Sequence, residues 1–166
     1  MRPLSPTLRD YRAADAPAVS RVALAAFDEF RDSYADWPAM AANVATMAAL
    51  AGTGEIVVAE CDGAVAGAVA YIPPHRPKAS YFDQAWPIIR MLVVDPAQRG
   101  NGLGRALTEE CIRRARRDGA GAIALHTSPI MTVALSMYRR MGFEQLRDAP
   151  AIYGVPYAVY LKTFAV

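Results

Sequence analysis

Residues 91–105 read Met-Leu-Val-Val-Asp-Pro-Ala-Gln-Arg-Gly-Asn-Gly-Leu-Gly-Arg, an order that describes a socket for an anion. The apolar run ending at Asp95-Pro96 predicts a strand, the glycines a turn, and the residues after them a helix start. Glycine lets the backbone approach an anion closely and adopt dihedrals that other residues avoid. N–H groups at a helix start have no partner within the helix, and the helix dipole reinforces their pull on negative charge. Phosphate is the natural guest. No Gly-Lys-Ser/Thr triplet follows, so this is not a nucleotide phosphate loop. It is also a poor match to G-x-G-x-x-G, which wants an acidic residue about 20 positions on. A tight strand-to-helix connection that binds nothing is the bland alternative.

Two titratable side chains follow in residues 125–143. Tyr138 carries a phenol with an ordinary pKa of about 10, protonated at neutral pH and able to give its proton away. His126 carries an imidazole with an ordinary pKa of about 6.5, suited to taking a proton. Each also has a structural reading: Tyr138 as a core tyrosine of an amphipathic helix, His126 as a strand-end hydrogen-bonding group. Ser128-Pro129 predicts the start of that helix and Gly142 its end. Ala134, Leu135, Tyr138 and Met141 share one face at helical spacing.

The spacing Arg99-x-x-Gly102-x-Gly104 resembles the pyrophosphate-binding motif of the GNAT acetyltransferases, which use acetyl-CoA. Ala134-x-x-x-Tyr138-x-x-x-Gly142-Phe143 resembles the same family's pattern, in which Gly-Phe closes the helix that bears a tyrosine. The two motifs stand in the family's order. The resemblance covers residues 88–145 closely and the rest in layout. It implies an α/β (α+β) fold: a mixed, mostly antiparallel central sheet of about seven strands flanked by about four helices, with two strands splayed apart. It implies that the backbone of Leu92, Val93 and Val94 serves the pantetheine arm and thioester carbonyl. Arg99, Gly100, Asn101, Gly102, Leu103, Gly104 and Arg105 would hold the pyrophosphate. Tyr138 would contact the cofactor and act as acid toward the departing thiolate.

His126 lies twelve residues before Tyr138, where some members carry a catalytic glutamate, and is the candidate base. A water chain, or Glu29, Asp83 or Glu110, remains open for that role. The family's common glutamate on the fourth strand is absent, with Ile88 and Ile89 in that region, and Met131 stands where many members have an asparagine on the pantetheine.

The implied activity is N-acetyl transfer from acetyl-CoA to a primary amine by direct attack in a ternary complex. The acceptor would be a small molecule or a peptide N-terminus. Alternatives of the same fold are a protein or longer-chain acyltransferase, and a CoA-binding regulatory module without turnover.

These residues need a scaffold. The 166 residues suffice for one domain, 1–166, with a sizeable core, and 54% hydrophobic with 20% charged residues suits a compact fold. The net charge of +2 gives no global attraction to nucleic acid or anionic membrane. Arg105, Arg113, Arg114, Arg116 and Arg117 read as a solvated helix face. Cys61 and Cys111 are the two cysteines; Cys111 falls on an apolar helix side, and no Cys/His cluster points to a metal. Met1–Pro6 lacks the apolar core of a leader, and no apolar run nears the ~20 residues of a membrane span, so a cytoplasmic location is expected.

The pattern predicts a strand at Thr7–Tyr11, a helix after Asp15 and a second helix over Pro38–Leu50. A hairpin over 55–71 turns at Asp62-Gly63, and an irregular proline- and aromatic-rich loop covers 73–87. Strands follow at 88–94 and 120–127, with a helix over 102–117 between them. Two closing strands are expected at 143–147 and 157–164, and the segment Asp148–Tyr157 between them is expected to join Arg31–Trp37 and the 73–87 loop on the acceptor side. The apolar Tyr157–Val166 end permits pairing of two copies.

Overall fold

The computed structural model describes residues 6–165; Met1–Ser5, read above for a leader, and Val166 lie outside them. Seven strands form one sheet: β1 (Thr7–Asp10), β2 (Glu55–Cys61), β3 (Ala64–Ile72), β4 (Ile88–Val94), β5 (Ala122–Thr127), β6 (Glu144–Ile152) and β7 (Val155–Thr163). They lie side by side in the order β1-β2-β3-β4-β5-β7-β6. Every neighbouring pair is antiparallel except β4 and β5, which are parallel. Among the described residues four α-helices flank the sheet: α1 (Ala16–Phe27), α2 (Trp37–Ala45), α3 (Leu103–Arg117) and α4 (Thr132–Arg140). This is the layout expected from the sequence.

The hairpin turns follow from their residues. Asp62 and Gly63 have φ of 52° and 76°, and Tyr153 and Gly154 have φ of 44° and 81°. Two consecutive left-handed residues match the twist of the strands they join. The second turn corrects the sequence reading. Residues 148–152 and 155–156 are not a connecting segment but continue β6 and β7, so only Tyr153-Gly154 joins them.

Two helix bounds also differ. The hydroxyl of Thr46 donates to the Asn43 carbonyl (2.7 Å), as does its own N–H, which tightens α2 into a 3-10 turn over Met47–Gly52. Ser128 does not cap α4. Its hydroxyl accepts from Ile130 N–H (3.3 Å) and its carbonyl from Met131 N–H, so Ser128-Pro129 forms a separate turn and α4 starts at Thr132.

Alternation along the strands divides the interior in two. Ile123 and Leu125 of β5 pack with Leu103, Leu107 and Cys111 of α3 and Tyr138 of α4. On the other face α1 and α2 cover Val58, Ala68 and Ala70 through Val19, Val22, Met40 and Val44. Arg114 fastens α3 to the far side of the sheet. Its guanidinium bonds Asp10, Glu55 and Glu110 at 2.7–2.8 Å and is itself buried.

Candidate active site

β4 carries the irregularity from which the site is built. Ala68 faces Val93 and Ala70 faces Arg90, so β4 spends one extra residue against β3. That bulge holds Met91 at φ 57°, a conformation few side chains adopt. Bulges re-aim a strand beside functional sites. Here the strand also leaves its other neighbour. Ile88 and Ala124 are the pair that joins β4 to β5. Beyond them β4 runs on to Val94 and β5 to Thr127, with β5 paired to β7. The backbone of Leu92–Val94 therefore borders a split in the sheet, an open edge on which an amide-bearing chain can pair like an added strand.

At the far end of the split stands the N-terminus of α3. Gly100 and Gly102 have φ of 88° and 74°, Gly102 occupies the N-cap, and no side chain caps the helix. A Cβ at either glycine would meet nothing within 4 Å, so their type is set by backbone conformation, with open space above. Gly104 lies lower, where a Cβ would come 3.6 Å from Met137 Sδ and 3.9 Å from Val94. The uncapped N–H groups and the unfilled space fit a pyrophosphate. Three side chains expected there are otherwise engaged. Arg99 pairs with Glu29 at 2.6 Å and Arg105 with Glu109 at 2.9 Å. Asn101 donates to the Gln98 carbonyl.

Tyr138 sits in the α3–α4 interior, 5% exposed, its ring edge-on to Phe143 with centroids 5.5 Å apart. The local sequence dictates this. Gly142 takes φ 96°, its N–H bonds the Arg139 carbonyl, and the Phe143 N–H bonds the Tyr138 carbonyl. That is a Schellman closure, whose hydrophobic contact is here Phe143 on Tyr138. The Tyr-x-x-x-Gly-Phe spacing is thus a device for fixing the phenol. Burial raises its pKa above the ordinary tyrosine value, so the group stays protonated. Met131 lies just before α4 and accepts a weak bond from Thr127 Oγ1 (3.8 Å).

His126 lies on the opposite sheet face from Tyr138, since it alternates with Leu125. It is enclosed by aromatic rings: Tyr81 stacks at 5.5 Å, Phe82 meets it edge-on at 5.9 Å and Tyr157 tilts at 5.1 Å. Tyr81 Oη shares a hydrogen bond with His126 Nδ1 (3.1 Å), and Tyr157 Oη bonds Tyr34 Oη. Burial, with Arg90 nearby, holds the imidazole pKa down at about 4, so the ring is neutral at pH 7. The structure thus does not bring His126 and Tyr138 into contact. They lie on opposite faces of the sheet.

Of the other carboxylates, Glu110 is held down at about 2 by Arg113, with Arg114 adding to the effect. It belongs to the α3 fastening and is remote from the split. Glu29 is paired to Arg99, and Asp83 bonds the Ala85 N–H. The sequence reading missed Arg90. It is an exposed residue on a central strand, immediately before the bulge.

A sequence model of the Acetyltransferase (GNAT) family matches residues 19–143, three quarters of the chain. The chain belongs to the GNAT acetyltransferase family. Solved structures share its architecture. PH1933 from Pyrococcus horikoshii superposes with a TM-score of 0.78 at 14% identity, covering 98% of this chain and 100% of that one, a likeness of fold. A GNAT acetyltransferase from Brucella melitensis, solved with acetyl-CoA, gives 0.66 at 25% identity over 98% and 90%. Among curated relatives, a mycothiol acetyltransferase of Nocardia farcinica is 38% identical over 80 residues, 47% of this chain and 25% of its own length. One from Catenulispora acidiphila is 33% identical over 75 residues, 45% and 24%. The chain spans about a quarter of the length of these curated relatives. No helix among the described residues is long and apolar enough to cross a membrane.

Proposed function

We propose that this GNAT domain transfers an acetyl group from acetyl-CoA directly to a primary amine, the acceptor being a small molecule or a peptide N-terminus. The observation that carries the reading is the split between β4 and β5. It opens beside a bulged strand, ends at a glycine-built helix N-terminus, and has Tyr138 on one face and His126 on the other. Acetyl-CoA would supply an activated acyl group and a thiolate leaving group. The backbone of Leu92–Val94 would pair with its amide-bearing arm, and the N–H groups of residues 100–105 would hold its pyrophosphate. Arg99 and Arg105 would join by leaving Glu29 and Glu109, both pairs being solvent-exposed and weak.

Tyr138 would protonate the departing sulfur. A buried phenol with a raised pKa keeps its proton at every physiological pH and has it to give as the C–S bond breaks, while the same burial makes it a weaker acid than a free tyrosine. His126 would receive the proton that the nitrogen sheds as the amide forms. Its neutral state makes it available, and its low pKa makes it a weak base that works on an already acidified N–H.

The test is thiol release from acetyl-CoA across amino acids, aryl and alkyl amines, polyamines and short peptides, with calorimetric binding of acetyl-CoA as control. Turnover with one class establishes the activity. Binding without turnover on every amine would sink the small-molecule reading and leave a macromolecular acceptor or a regulatory module. Tyr138→Phe should lower kcat by roughly tenfold or more while leaving acetyl-CoA affinity in place. A binding module has no rate to lose.

A further inference from the structure

We propose, resting on the transfer reading above, that the acceptor carries a carboxylate beside its amine and that Arg90 binds it. A cavity of about 70 Å³ opens on the His126 face. Arg90, Lys78, Tyr81 and His126 contribute to its walls, and none of its lining residues is acidic. Arg90 immediately precedes the bulge at Met91, lies two residues past the Ile88–Ala124 pair from which β4 and β5 part, and lines the cavity together with His126. It makes no ion pair or hydrogen bond among the described residues, although many arginines elsewhere on this chain are engaged by carboxylates, Arg9, Arg99 and Arg114 among them.

The second cation is fixed in place. Lys78 Nζ donates to the carbonyls of Pro73, Arg76 and Gln84, which ties the 73–87 loop around it. Asp83, whose charge is felt by Lys78, does not line the cavity and bonds the Ala85 N–H. Burial favours the neutral forms of both His126 and Tyr81, and the field of Arg90 reaches both, adding to that effect at His126 and opposing it at Tyr81. A bare ammonium entering this cavity would meet two cations and no anion. An amine that brings its own carboxylate offsets that repulsion. A planar guanidinium fork matches a carboxylate in two hydrogen bonds and leaves the neighbouring amine aimed at the split. At about 70 Å³ the cavity holds little more than an amino-carboxylate head group, and the remainder of a larger acceptor would lie outside it.

The test uses matched pairs: phenylalanine against phenylalaninamide, and alanine against alaninamide, with aminoethylphosphonate as a phosphonate control. Each is assayed for acetyl transfer, and each is titrated calorimetrically into the CoA-saturated protein, so that binding is read even without turnover. The acid should be preferred over its amide by roughly tenfold or more in kcat/KM and in affinity, the scale of a hydrogen bond to a charged group. In Arg90→Gln this ratio should fall toward one, through KM and not kcat, and Arg90→Lys should restore part of it. Arg90 anchors nothing else, so these variants keep the fold, as a melting curve checks. Equal binding of acid and amide, or a ratio that Arg90→Gln leaves intact, overturns the proposal. A phosphonate preferred over both acids also overturns it. Arg90-dependent binding of the acids without acetylation sustains the anion site while the transfer reading fails.

Discussion

At the scale of single residues, the spacing of the sequence motifs has a mechanical meaning. Tyr138 and Phe143 are joined by a Schellman closure that needs glycine between them, so the motif is a clamp on a phenol. His126 shows what spacing alone could not. Its twelve-residue offset from Tyr138 was legible, but the three rings that enclose it come from the 73–87 loop and from β7, distant in sequence. That enclosure has a consequence for stability. The folded pKa of about 4 lies below the unfolded value of about 6.5, so the unfolded chain binds more protons between them. The His126 contribution is therefore intact above pH 6.5 and lost as pH falls to 4, by roughly 3 kcal/mol. Denaturant unfolding at pH 7, 5.5 and 4.5 should show that loss, and His126→Asn should flatten it. An equal slope in both proteins would mean that the ring is solvated.

At the scale of elements, the β4–α3 unit was the most legible part, because glycines and a strand-ending Asp-Pro announce their geometry. The bulge was not legible. Nothing in Ile-Ile-Arg-Met-Leu-Val-Val marks Met91 for φ 57°, a conformation imposed by pairing with β3. The boundaries that differed were set by side chains competing for backbone groups, Thr46 in α2 and Ser128 before α4. Gly102→Ala places a Cβ on a left-handed residue, costing about 1–2 kcal/mol of backbone strain at the helix N-cap. Acetyl-CoA affinity measured by calorimetry should fall by roughly tenfold or more, since the N–H groups there are the proposed anion site. Unchanged affinity would place the pyrophosphate elsewhere.

At the scale of the whole molecule, a sheet split between its fourth and fifth strands needs fastening elsewhere. Arg114 supplies part of it, linking α3 to β1 and β2 through Asp10, Glu55 and Glu110. In sequence it read as one arginine of a solvated face, since its acidic partners lie up to 104 residues away. Arg114→Met should destabilise the fold by about 3 kcal/mol, the lower end of the cost of breaking a buried ion pair, because Asp10 remains largely in water. A loss under about 1 kcal/mol by denaturant unfolding would mean that the network is solvated.

The central claim is that acetyl-CoA lies along the open edge of β4 with its pyrophosphate on the start of α3. Titration of acetyl-CoA into ¹⁵N-labelled protein tests it most directly. The largest amide shifts should fall on Leu92–Val94 and residues 100–105, with none of comparable size on β1, β2 or the outer face of β6. Saturable binding with its shifts on those outer strands, or no shift at any concentration, would contradict it.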